Sequence, residues 1–168
     1  YYPRGMNRCW FRPHFAPQNL PDQTVSALQS ASIALLLKHP VPPSQTPLLT
    51  ALNLPLLAAG KDNDFDYLLQ HTMNGWQLQQ TGKRAPGPVS VDFSSAAASY
   101  RRNKGGGELI VKAVAGNKKQ RPTVLDTTAG LGGDSFVLAS RGYPVMLMER
   151  SPIVALLLSD GLRRAEES

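Results

Sequence analysis

The sequence predicts an α/β fold: the first half of a doubly wound parallel sheet over residues 94–168, preceded by a small α/β domain over 32–93 and an irregular extension over 1–31. Three observations predict it. Residues 123–134 read Thr-Val-Leu-Asp-Thr-Thr-Ala-Gly-Leu-Gly-Gly-Asp. This is a short apolar run that ends on an acid and breaks into a glycine-rich turn, before a helical pattern opens at Ser135, Phe136 and Val137. A second apolar run, Tyr143 to Glu149, also ends on an acid and leaves room for one helix between the two, as a βαβ unit requires. Upstream, Asn74-Gly75 lies between two strand-like runs, a strong hairpin signal.

Taken in order, Tyr1 to Pro21 is rich in proline, arginine and aromatics without a period and reads as an irregular tail. From Ser32 the pattern becomes αβ. Ile33 to Leu37 reads as a buried strand, Thr46 to Leu54 as a short helix and Leu56 to Ala59 as another strand. Phe65 to His71 and Trp76 to Gln80 form the hairpin arms, and Val89 to Phe93 reads as the last strand of the small domain. Helices follow over Ser94 to Asn103 and Glu108 to Ala115. The glycine-loop core then gives a strand over 123–126, a helix over 134–141, a strand over 144–149 and a helix over 152–164, with Pro152 in its first turn. A doubly wound sheet carries several more strands, so the expectation is that only its first half is present.

Composition narrows the function classes. With 168 residues and 42% hydrophobic content the chain suits one domain plus a small attachment around a real core. Cys9 is the single cysteine and has no internal disulfide partner, which points to a cytoplasmic setting. No apolar run approaches the ~20 residues needed to span a bilayer, so no membrane role is expected. His14, His39 and His71 have no acid or cysteine at metal or triad spacing, and no metal is expected. The formal charge of +6 is uneven: Lys83 to Arg121 holds nine lysines and arginines against two acids. A basic strip of this kind displaces counterions from phosphates and fits a polyanionic substrate, and Arg101, Arg102 and Lys104, abutting three glycines, are its candidate phosphate-contacting residues.

The glycine loop sets the chemistry. Gly130, Gly132 and Gly133 permit positive φ and close approach of a ligand to backbone N–H groups, and the following helix aims its N-terminal dipole at the same place. Glu149 is the candidate for the ribose, because a carboxylate accepts two hydrogen bonds from a cis-diol. Two ligands fit so far, a nicotinamide dinucleotide or S-adenosylmethionine (SAM). The dinucleotide fingerprint wants a further small residue where Ser135 stands, and an acid at Asp126 would repel a pyrophosphate. SAM carries an ammonium and a sulfonium, so Asp126 favours the methyl donor.

Beyond this, the run Asp-Thr-Thr-Ala-Gly-Leu-Gly-Gly-Asp-Ser-Phe-Val-Leu-Ala-Ser, then Met-Leu-Met-Glu-Arg-Ser-Pro and Leu-Leu-Ser-Asp-Gly-Leu, closely resembles the RsmJ family of bacterial small-subunit rRNA (guanine-N2)-methyltransferases. The likeness extends through Val91 to Phe93, Tyr100 to Arg102, Gly105 to Gly107 and Lys112 to Val114, and covers residues 32–90 loosely. It implies a Rossmann-like SAM-dependent methyltransferase that acts on small-subunit rRNA or the ribosomal subunit, with donor-binding positions at Gly133, Asp134, Glu149 and Arg150. In one respect the chain departs from the family: a basic residue commonly precedes the Asp, and here Gly133 leaves only a backbone contact. The resemblance also implies an amine clamp, an Asp-Pro-x-aromatic loop after a fourth strand, and the chain has none. No catalytic residue is therefore assigned, and the 168-residue chain is expected to be an N-terminal fragment inactive by itself. The alternatives are an NAD-dependent oxidoreductase and a non-catalytic RNA-binding fragment.

Overall fold

The computed structural model describes residues 32–57, 64–94, 106–116 and 121–167, which divide into two compact units between Val91 and Asp92. Residues 1–31, most of the helix expected over Ser94 to Asn103, and Arg101, Arg102 and Lys104 lie outside the described residues.

The first unit is built on a three-stranded sheet of order β1-β2-β3, with β1 (Ile33–Leu37) parallel to β2 (Tyr67–Thr72) and β2 antiparallel to β3 (Gly75–Gln80). A 3-10 turn at Pro43–Gln45 leads into helix α1 (Thr46–Leu52), which stops at Asn53 in the left-handed conformation. The hairpin forms where the Asn-Gly pair places it: Gly75 takes φ 94°, and the Thr72 hydroxyl accepts from the Asn74 N–H and donates to the Gly75 carbonyl. Ala34, Leu57 and Leu68 pack together with Leu36 and Phe65. On the other face of the sheet Trp76 is fully buried; its indole N–H donates to Gln45 Oε1 at 2.8 Å, and its ring lies 4.7 Å from that of His71.

Among the described residues, the expected strand over Val89 to Phe93 reduces to a single bridge of Val89 with Leu78, and the one over Leu56 to Ala59 shows a bridge of Leu56 with Leu35, while Ala58 and Ala59 lie outside the described residues. Prolines precede both positions, at Pro55 and Pro88, and a residue without an N–H cannot extend a ladder. Phe93, expected at the end of the last of these strands, instead belongs to the second unit.

The second unit contains α2 (Gly106–Ala115), β4 (Val124–Asp126), α3 (Gly133–Ser140), β5 (Val145–Leu147) and α4 (Pro152–Glu167). Strands β4 and β5 are parallel neighbours in the register Val124 to Val145, Leu125 to Met146 and Asp126 to Leu147. The expected strands over 123–126 and 144–149 thus shorten to three residues each. One further backbone bond at either end continues them, Val124 N–H to the Pro144 carbonyl and Met148 N–H to the Asp126 carbonyl. Val145 and Leu147 point into a core with Phe136, Val137, Leu138, Tyr143, Ile153, Leu156, Leu157 and Leu162. Leu125, Met146 and Met148 point the other way and are about half exposed, at 53%, 47% and 51%. Helix α4 outruns its expected end at Arg164 because Arg163 bonds Glu167 one turn on, while Arg163 and Arg164 both reach back to the buried Asp160.

Candidate functional site

The C-terminal ends of β4 and β5 hold the glycine loop as sequence order suggests, and two carboxylates organise it. Asp126, the last residue of β4, accepts from the Thr128 N–H at 3.1 Å through Oδ1 and from the buried Ser135 hydroxyl through Oδ2. Both of its oxygens thus tie the strand end to the loop and to α3. Glu149, just past β5, accepts from the Gly130 N–H at 2.9 Å through Oε2 and from the Ser151 N–H at 2.7 Å through Oε1. A carboxylate has about four lone-pair positions, so each oxygen of Glu149 keeps one for a further donor such as a ribose hydroxyl. The side chain is partly exposed, which leaves it reachable.

The loop backbone is closed by Ala129 N–H to the Met148 carbonyl at 3.0 Å and Gly132 N–H to the Ala129 carbonyl at 2.8 Å. Gly132 stands at the N-cap of α3 with φ 75°, and a β-carbon there would lie 2.5 Å from Leu158 Cδ1 and 3.2 Å from Phe93 Cζ. Glycine is required on both counts. Gly130 is also left-handed, at φ 54°. Gly133 and Asp134 form the first turn of α3, where backbone N–H groups lack intrahelical acceptors and an acid or anion is favoured. Asp134 and Arg150 are both exposed.

The structure therefore gathers Asp126, Gly130, Gly132, Gly133, Asp134, Glu149 and Arg150 at one end of the two-stranded sheet. Sequence reasoning missed three contributors. Ser135 registered only as a departure from the dinucleotide pattern, although a hydroxyl nine residues after a strand-end acid suits the bond that it makes. Ser151 follows Glu149 by two, the spacing of an Asx-type turn, and Phe93 entered only as a strand end and as part of the family likeness, neither of which points to the loop. Among the described residues no group of three or more His, Cys, Asp or Glu side chains stands ready to hold a metal, and no helix is long and apolar enough to cross a membrane.

A family model described as a putative SAM-dependent methyltransferase matches residues 49–168. Curated relatives named ribosomal RNA small subunit methyltransferase J share 47% identity over 121 residues in Coxiella burnetii and 52% over 118 residues in Pseudomonas fluorescens. The chain belongs to the RsmJ family of SAM-dependent methyltransferases. The aligned segments cover 71% and 69% of this chain but 47% and 44% of those relatives, so the chain spans about half their length. A crystal structure of a SAM-dependent methyltransferase from Neisseria gonorrhoeae is similar at 43% identity and a TM-score of 0.63, covering 80% of this chain and 53% of the other. The family-model match takes in the whole segment from Asp126 to Arg150, and the mixed α/β fold is that of a SAM-dependent methyltransferase.

Proposed function

We propose that this chain supplies the donor-binding half of an enzyme that transfers the methyl group of SAM to the N2 amine of a guanine in small-subunit rRNA, in the cytoplasm. The observation that carries the reading is the carboxylate of Glu149, fastened to Gly130 and Ser151 with acceptor capacity to spare beside a helix N-terminus. The relatives' name supports the rRNA substrate. Glu149 would take the ribose hydroxyls, Gly133 and Asp134 the polar end of the donor at the α3 N-terminus, and Asp126 would hold the loop with Ser135 and Thr128 while setting a negative field. Arg150, adjoining Glu149, would border the site. Bound SAM supplies an activated methyl group on a sulfonium. The residues of this chain contribute position and field, which is what methyl transfer to a weakly basic amine requires of its donor site.

Two structural readings belong to the same proposal. Strands β4 and β5 are the start of a doubly wound, Rossmann-like sheet, and the exposed face of Leu125, Met146 and Met148 is where a covering layer packs in a longer protein. The unit ending at Val91 is a separate small N-terminal domain, and the basic strip that contains Arg101, Arg102 and Lys104 contacts RNA phosphates. The test is to titrate the full-length protein with S-adenosylhomocysteine and with NADH. Binding of the homocysteine alone is expected; binding of NADH alone would replace the proposal with the oxidoreductase reading.

A further inference from the structure

We infer that Phe93 is a positioning residue for the donor loop, an inference that rests on reading Asp126 to Arg150 as the SAM site. Phe93 is buried and its ring stacks on that of Phe136, with centroids 4.4 Å apart and planes 13° from parallel. Phe136 closes the first hydrogen bond of α3, its N–H donating to the Gly132 carbonyl at 2.8 Å. The far end of the Phe93 ring, Cζ, lies 3.2 Å from where a Gly132 β-carbon would stand. One ring therefore touches both ends of the turn that launches the helix.

Its delivery is equally specific. Asp92 Oδ1 accepts from the Ser94 N–H at 2.9 Å and from the Ser94 hydroxyl at 2.6 Å, so the chain turns tightly around Phe93. Leu158 closes the same space from α4, 2.5 Å from the missing β-carbon. Between them the two side chains fill the space that a β-carbon at Gly132 would need, and they pack against the residue in its left-handed φ of 75°. What that conformation controls is the direction of the first N–H groups of α3, the groups that meet the donor. Phe93 touches no donor atom in this account. It acts through Gly132 and Phe136, and the expected consequence of disturbing it is a loss of donor affinity with RNA affinity unchanged.

The experiment uses the full-length protein with three substitutions, Phe93→Leu, Phe93→Tyr and, as a core control, Leu156→Ala. Leu156 is fully buried and lies two residues from Leu158, on a different side of α4. S-adenosylhomocysteine affinity by calorimetry, thermal unfolding, and separate KM values for donor and RNA are measured where all variants are folded. Phe93→Leu is expected to weaken homocysteine binding about tenfold and to raise the donor KM alone, as loosened support for a site does. Phe93→Tyr, whose hydroxyl projects from the Cζ that faces Gly132, is expected to weaken donor binding while keeping the ring stack, with a lowered unfolding temperature from the overpacked space. Leu156→Ala is expected to lower the unfolding temperature with donor affinity within about twofold of the unsubstituted protein. Unchanged affinity in Phe93→Leu, or an equal loss in Leu156→Ala, overturns the positioning role. Failure of the unsubstituted protein to bind the homocysteine overturns the donor site itself and this role with it.

Discussion

Glu149 joins three parts of the molecule through one side chain: the end of β5, the glycine loop and the turn into α4. Glu149→Ala is expected to weaken S-adenosylhomocysteine binding by about 1.5–3 kcal/mol, the usual worth of hydrogen bonds to a charged group. Glu149→Gln should not restore it, because an amide has one acceptor oxygen where two N–H groups demand two, and its NH2 would face a donor. Asp134→Ala is expected to weaken binding as well, whereas Arg163→Ala, on the last turns of α4, leaves it unchanged. Titration calorimetry on the four variants decides the matter, and equal losses in all of them would mean global destabilisation rather than a site. At Gly132 the expectation concerns folding. Gly132→Ala must accept a left-handed φ and a contact with Leu158, at about 2–4 kcal/mol, read from denaturant unfolding.

At the scale of an element, α4 shows how a helix carries charge into a core. Asp160 has no exposed surface and takes Arg163 Nη2 on one oxygen at 3.0 Å and Arg164 Nε on the other at 2.9 Å. Burial works against the Arg163 charge, but the hydrogen bonds to Asp160 and Glu167 outweigh it and raise its pKa. Because the folded pKa is raised, the stabilisation from this arginine is present below its ordinary range wherever Asp160 and Glu167 are ionised, and on the alkaline side it is lost only as pH rises through the raised pKa. Asp160→Ala leaves two guanidinium groups facing a vacated buried position and is expected to cost about 3 kcal/mol, whereas Glu167→Ala, at an exposed helix end, should cost under about 0.5 kcal/mol. Urea titrations of the two variants side by side check the contrast.

At the scale of the whole molecule, Leu125, Met146 and Met148 form an exposed apolar row on one face of the β4–β5 pair. Open apolar sheet faces and unpaired edges promote association. Met146→Lys is therefore expected to reduce self-association of the 168-residue chain in light scattering with little change in its unfolding temperature. Unchanged scattering would show that this face does not drive association. The basic strip is expected to bind RNA irrespective of sequence, with affinity that falls as salt rises. Methyl transfer to small ribosomal subunits by the 168-residue chain alone would refute its expected incapacity.

Local chemistry made much of this protein legible from its sequence. The hairpin was legible because Asn-Gly forces a tight turn, and the β4-loop-α3 unit because glycines and an apolar period leave little else. The family was legible too, since the motif residues stand in unbroken runs. Tertiary structure decided what depends on partners distant in sequence. It reduced the strand expected over Val89 to Phe93 to a single bridge, gave the second carboxylate oxygen of Asp126 to Ser135, and carried Phe93 across to the glycine loop 39 residues away. The physical reason is the same in each case. Turn and strand preferences are stored in neighbouring residues, but whether a carboxylate keeps an oxygen free, or an aromatic ring props a loop, depends on which surfaces close against each other when the core packs.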